Sequence, residues 1–130
     1  MTHTFGLRVY YEDTDMAGIV YYANYLKFTE RARSEWVRAA GIDQWRLKEA
    51  QGLVFAVRRI EADYLAPAKF DDLLTVETTL EKATGARLVL RQDVLRDGTL
   101  LFASRATLVC LTAMGGPARL PADVRHALGV

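Results

Sequence analysis

Tyr11-Glu12-Asp13-Thr14-Asp15-Met16-Ala17-Gly18-Ile19-Val20-Tyr21-Tyr22-Ala23-Asn24-Tyr25-Leu26 joins an alternating segment to a helical one through a short acidic loop with one glycine. Upstream, Phe5, Leu7, Val9 and Tyr11 alternate with Gly6, Arg8, Tyr10 and Glu12, the period of a half-buried strand. Downstream the period changes to that of a helix, from about Tyr22 to Ala40. Leu26, Thr29, Arg33, Trp36, Val37 and Ala40 recur at spacings of three and four, and Ala32 and Ala39 widen the stripe. Gly41 stands where a helix C-terminus takes glycine, and Trp36 is large enough to anchor the helix on its cover. Arg31 and Glu35 fall on the outer face at a weakly favourable pair spacing. The loop therefore sets a carboxylate close to a helix N-terminus, where free N–H groups create positive potential. An acid beside such a donor is the minimum equipment for attack on a carbonyl. Asp13, Thr14 and Asp15 are equally the residue types that turns and caps use.

Beyond Gly41, a shorter helix is expected from about Asp43 to Gln51, bounded by Gly52. Leu53 to Leu65 reads as a long strand and residues 66–72 as a loop. Leu74, Val76, Thr78 and Leu80 mark a third strand, and Leu88, Leu90, Gln92 and Val94 a fourth after the Thr84-Gly85 turn. Asp97-Gly98 is a two-residue hairpin signal. A fifth strand runs from about Thr99 to Thr112 and breaks at Met114-Gly115-Gly116-Pro117, and Pro121 can open a short terminal helix. The order is strand, long helix, then four strands in antiparallel succession. This is a two-layer α+β domain spanning residues 1–130, with a sheet of about five strands against one helix. Long strands leave edges that call for a partner, so a homo-oligomer is expected.

Composition narrows the function classes. The 130 residues are 51% hydrophobic and 25% charged, which suits one soluble domain. A net charge of +1 makes no electrostatic case for nucleic acid, and no dense Lys/Arg block suggests a membrane surface. No apolar run approaches the ~20 residues of a membrane span, and Met1 to Arg8 lacks the apolar core of a signal peptide. The single cysteine, Cys110, forms no intrachain disulfide and points to a reducing compartment, so the expected location is cytoplasmic. Within Thr107 to Leu111 it reads as a small buried hydrophobe. His3 and His126 stand at the two ends, a poor start for a Ser-His-Asp arrangement or a zinc site.

The opening stretch, followed by Glu30-Arg31-Ala32-Arg33, resembles the signature of the 4-hydroxybenzoyl-CoA thioesterase family, and most closely its Tol-Pal-associated acyl-CoA thioesterase branch. The likeness continues through Phe55-Ala56-Val57-Arg58-Arg59 and Tyr64 to Leu74, covering roughly Phe5 to Leu120. It implies the hot-dog fold, a curved antiparallel sheet wrapped around the long helix. It also implies hydrolysis of an acyl-CoA thioester. Asp15, the second acid of the motif, would be the catalytic carboxylate, as nucleophile or as general base. The backbone N–H of Tyr22 would polarise the thioester carbonyl, and Gly18 would let the loop approach without a Cβ in the way. No metal or redox cofactor is implied, because a thiolate is already a good leaving group.

The resemblance extends to substrate contacts. Phe55 and Val57 are core residues by default, but in this fold their strand lies at the dimer seam and can line the acyl pocket. Arg58, Arg59, Lys69 and Arg87 are candidates for the CoA phosphates, although each alone is more often a surface charge. Glu30 reads as a solvated or salt-bridged side chain; the alternative places it at the acyl end of the pocket or makes it the base. Two departures stand out. Many members of the Tol-Pal-associated branch carry histidine where this chain has Tyr22, and a phenol of pKa about 10 is a poor base near neutrality. The benzoyl-CoA type has a basic cluster at the Thr84-Gly85-Ala86-Arg87 turn, where this chain offers only Arg87. The expected function is hydrolysis of a small-to-medium acyl-CoA by a homotetramer, a dimer of dimers. The alternative is a non-catalytic module binding acyl-CoA or an acyl-carrier protein. A carrier-bound acyl group is a further candidate substrate.

Overall fold

The first strand, β1 (Thr2–Arg8), turns alternate side chains inward, with His3, Phe5 and Leu7 half-buried and their neighbours exposed. The computed structural model describes residues 2–130; Met1 lies outside them. A single 3-10 turn at Tyr11–Asp13 and a small hairpin lead into α1 (Asn24–Ala39). The helix buries Tyr25, Phe28, Thr29, Ala32, Arg33, Trp36 and Val37. The buried stripe is thus rotated from the one expected, since Leu26 is 40% exposed and Ala39 is also exposed. The charged pairs along α1 differ too. Arg33 reaches Glu30 and Arg38 reaches Glu35, so spacings of three replace the expected Arg31/Glu35 pair.

Gly41, at φ 87°, closes α1 with two bonds: its own N–H donates to Arg38 and that of Ile42 to Val37. The second helix, α2 (Gln44–Gln51), begins on Asp43, whose side chain accepts the Arg46 N–H, and ends on Gly52 at φ 66°. Four strands follow: β2 (Leu53–Tyr64), β3 (Leu73–Ala83), β4 (Arg87–Arg96) and β5 (Thr99–Thr112). Asp97 and Gly98 both take positive φ, as a tight hairpin requires. Pro117–Ala118 form a short β6 beyond the expected break, and α3 (Ala122–Ala127) opens after Pro121.

Succession in sequence is not adjacency in space. The sheet order is β1-β3-β4-β5-β2, with β6 also on β5, and every pairing is antiparallel. β3, β4 and β5 form a meander, while β2 crosses to the far side of β5 and β1 closes onto β3. The expected α+β class and wrapped helix stand; the sheet has six strands where about five were expected.

Two apolar clusters lie between α1 and the sheet. One gathers Tyr25, Phe28 and Ala32 with Leu74, Val76, Val94 and Phe102; the other gathers Trp36 and Val37 with Leu88, Leu90, Ala106 and Leu108. Between them runs a buried polar belt. Arg33 donates to Gln92 Oε1 at 2.9 Å, and Gln92 Nε2 donates to the Thr29 carbonyl and Thr78 Oγ1, each at 3.0 Å. No helix among the described residues is long and apolar enough to cross a membrane.

Candidate active site

The Thr14–Val20 bridge closes a small hairpin around Asp15. Gly18 N–H donates to the Asp15 carbonyl at 3.0 Å and Asp15 N–H to the Ile19 carbonyl at 2.9 Å, a tight turn followed by a left-handed residue. That residue is Gly18, at φ 78°. A Cβ built there would meet nothing within 4 Å. The backbone conformation alone therefore calls for glycine at this position.

Asp15 itself is exposed. Its Oδ1 accepts the Ala17 N–H at 2.9 Å, which orients the carboxylate, and Oδ2 has no partner among the described residues. Asp13 plays a different part. It is buried, its carboxylate accepts the Tyr10 N–H at 2.8 Å, and its carbonyl receives both Tyr21 N–H and Asn24 Nδ2. It is the structural acid of the loop.

The hairpin delivers the chain directly to the helix start. Asn24 N–H bonds the Tyr21 carbonyl at 2.8 Å, and Ala23, the N-cap, offers no side-chain bond. The Tyr22 N–H is unpartnered among the described residues. Tyr22 stands one residue before the cap, because α1 begins at Asn24, two residues after the start expected at Tyr22. The Tyr22 ring is largely exposed, packed on Tyr21 at 4.9 Å and near Tyr64 at 6.2 Å between centroids. Tyr22 and the Asp15 carboxylate raise the Tyr21 phenol pKa, the former more strongly. Beneath these, Tyr25 stacks on Phe102 at 4.9 Å and its hydroxyl accepts the Ala68 N–H at 3.0 Å. Tyr64, at the end of β2, donates its hydroxyl to the Tyr22 carbonyl at 2.9 Å. An oriented carboxylate with one free oxygen, on a turn that leads to an unpartnered N–H at a helix start, suits attack on a carbonyl.

Of the expected substrate contacts, Gly18 and Lys69 stand with Asp15 and Tyr22. Lys69 pairs its backbone with Ile19 and its N–H with Asp72 Oδ2 at 2.8 Å. Phe55, Val57, Arg58 and Arg59 do not, within one chain. They occupy the opposite half of β2, and roughly 20 Å of strand separates Val57 from Tyr64. Phe55 and Val57 line a cleft of about 60 Å³ with Glu30, Arg33, Val37 and Leu108. Arg58 is the extra residue of a β-bulge between Val57 and Arg59, and Arg59 faces Glu61 at 3.5 Å. Glu30 is salt-bridged to Arg33 at 2.6 Å, as expected of a surface glutamate there.

Arg87 lies at that same far end, beside the turn of β3 and β4. It is not the lone basic residue that the sequence suggested there. The Arg119 guanidinium packs against Gly85 so tightly that a Cβ would meet it at 2.8 Å, and Arg125 bonds the Thr84 carbonyl at 3.3 Å. Neither residue is near the turn in sequence, so no local pattern could reveal them. Tyr64 was equally hidden, since a tyrosine ending a strand is ordinary. Cys110 is buried and its thiol pKa is raised by desolvation. Among the described residues, no group of three or more His, Cys, Asp or Glu side chains could hold a metal ion.

The family model of the thioesterase-like superfamily matches residues 9–128. The chain is 41% identical to an acyl-CoA thioesterase, YbgC, of Haemophilus influenzae, over 95% of this chain and 92% of that protein. Among solved structures, a probable thioesterase from Bartonella henselae superposes with a TM-score of 0.89 at 38% identity, covering 93% of this chain and 100% of the other. An aspartate-to-asparagine variant of 4-hydroxybenzoyl-CoA thioesterase, complexed with 4-hydroxybenzoyl-CoA, superposes with a TM-score of 0.91 at 25% identity, over 97% of each chain.

Proposed function

The chain belongs to the thioesterase-like superfamily, and from that premise we propose that it hydrolyses a small-to-medium acyl-CoA to the free acid and CoA, with Asp15 as the catalytic carboxylate. The observation that carries the assignment is the free Asp15 Oδ2 on a turn leading into the unpartnered Tyr22 N–H. In this reading the thioester oxygen accepts the Tyr22 N–H. Oδ2 either removes a proton from the attacking water or itself attacks the carbonyl carbon, forming a mixed anhydride that water then opens. In both routes the C–S bond breaks as the tetrahedral centre collapses, and CoA leaves as its thiolate. The Tyr22 side chain serves as an aromatic wall and takes no proton.

The rest of the site comes from a second copy. Antiparallel pairing of exposed β2 edges sets the Leu53 end of one strand beside the Tyr64 end of the other. Phe55 and Val57 then flank the acyl group. Arg58, Arg59 and Arg87, joined by Arg119 and Arg125, face the CoA phosphates, with Lys69 contributed by the Asp15 subunit. Two such dimers form the proposed tetramer, acting in the cytoplasm.

The test is thiol release from short aliphatic, long aliphatic and aromatic acyl-CoAs, with acyl-carrier-protein thioesters alongside. Wild type should turn over one class, and Asp15→Asn should lose about 100- to 10,000-fold in kcat. Turnover indifferent to that change would move the chemistry to another acid. Binding of acyl-CoA without turnover would leave a binding module.

A further inference from the structure

The catalytic reading accounts for one backbone donor, yet the adjacent peptide offers another. Ala23 N–H, like that of Tyr22, has no partner among the described residues. We propose that the Ala23 N–H is a second oxyanion donor, and that Tyr64 is the positioning residue that aims it; this rests on the thioesterase assignment.

A planar trans peptide points its C=O and N–H in opposite directions, so fixing one fixes the other. The Tyr21–Tyr22 peptide is fixed by Asn24 N–H on the Tyr21 carbonyl at 2.8 Å, which sets the Tyr22 N–H. The Tyr22–Ala23 peptide is fixed by Tyr64 Oη on the Tyr22 carbonyl at 2.9 Å, which sets the Ala23 N–H. Ala23 has helical backbone angles, φ −71° and ψ −20°, so its N–H belongs to the set that opens a helix. Two adjacent peptides are thereby locked by different elements, with both N–H groups left free.

Tyr64 is rigid enough for this task. Its ring packs edge-on against Phe102 at 4.9 Å, Tyr25 at 5.5 Å and Tyr22 at 6.2 Å. Burial, reinforced by Tyr22 and Tyr25, raises its pKa and keeps the hydroxyl a donor near neutrality. Stability alone does not call for the bond. Tyr64 is 49% exposed, so water could serve the Tyr22 carbonyl in its place, but water would not fix a direction.

The decisive comparison uses the full chain and the best acyl-CoA of the panel. Ala23→Pro deletes one N–H at a φ proline adopts, and Ala23→Gly keeps it. Tyr64→Phe deletes only the hydroxyl. Ala23→Pro should lower kcat about 100-fold and Tyr64→Phe roughly tenfold, with KM within about twofold in both, and Ala23→Gly should lose far less than Ala23→Pro. The double variant should be no slower than Ala23→Pro, because Tyr64 acts through that N–H. Wild-type kcat in Ala23→Pro, or losses that multiply in the double variant, would overturn the proposal. If proline lowers the melting temperature by more than about 3 °C, replacing the residue 23 amide by an ester removes the same N–H without a ring, and an unchanged kcat there overturns it. Turnover that collapses in Asp15→Asn but not in these variants rejects the second donor alone; no wild-type turnover rejects the thioesterase reading itself.

Discussion

Two glycines near the proposed substrate path are needed for opposite reasons, and substitution separates them. Gly18 has open space around it but a φ of 78°. Gly18→Ala should cost roughly 1–2 kcal/mol in urea unfolding and lower kcat, because the turn it closes orients Asp15. Gly85 has no such backbone demand, but the Arg119 guanidinium lies where its Cβ would go. Gly85→Ala should displace that flexible side chain, leaving stability within about 0.5 kcal/mol while raising KM for acyl-CoA several-fold. An unchanged KM would remove Arg119 from the phosphate site. Asp13 and Asp15 make the same lesson with acids. Two carboxylates two residues apart are indistinguishable by type, yet one is buried beneath the Tyr10 N–H and the other has an oxygen to spare.

The elements owe their placement to polar as well as apolar contacts. Gln92 on β4 satisfies Arg33, Thr29 and Thr78 at once, holding the middle of α1 to the sheet. Gln92→Leu removes those three bonds, leaving Thr78 Oγ1 without a partner and Arg33 with the Glu30 carboxylate as its charged partner, and should cost about 3 kcal/mol. Pairing it with Arg33→Met should recover part of that loss, as a double-mutant cycle in urea would register. The loop before β3 is tied by charge. Burial works against the Asp72 carboxylate, but the Lys69 N–H and Arg96 outweigh it and hold its pKa below the usual 3.8. Its stabilisation is complete above the unfolded pKa and is lost as pH falls through the lower folded value. Asp72→Asn should therefore reduce the melting temperature at pH 7 and narrow the gap to wild type as acid is added below about pH 4. Burial raises the Tyr25 pKa above 10.0, the reverse case. Its contribution is whole below pH 10.0 and fades as pH climbs through the higher folded value, so alkaline unfolding should be delayed in Tyr25→Phe relative to its own neutral stability.

At the scale of the whole molecule, one chain keeps Asp15 and the arginine-bearing end of the sheet apart. A shared site between subunits predicts complementation. Asp15→Asn and an Arg87→Ala, Arg119→Ala variant should each be weak alone. Mixed and allowed to exchange subunits, they should recover up to about a quarter of wild-type activity, since mixed dimers assemble one intact site. No recovery, with exchange verified by light scattering and mass, would place every contact within one chain. The same geometry sets the bounds of what sequence reading could achieve. Alternation in β1, the Asp97-Gly98 hairpin and the glycine closing α1 were legible because strand period, turn chemistry and helix capping are decided by neighbours in the chain. The turn that holds Asp15 and Gly18 was legible for the same reason, while the roles given to Asp15, Gly18 and Tyr22 came from the family resemblance. The phase of the α1 stripe, the crossing of β2 to β5, and the gathering of Tyr64, Arg119 and Arg125 were not legible. Each depends on which surfaces pack together over long separations, a sum of many weak contacts that no local pattern records. The sequence by itself determined the acidic loop, its turn and the helix that follows; only the tertiary structure decided what fixes the helix start and which distant side chains gather around the Thr84-Gly85 turn, because those are matters of packing.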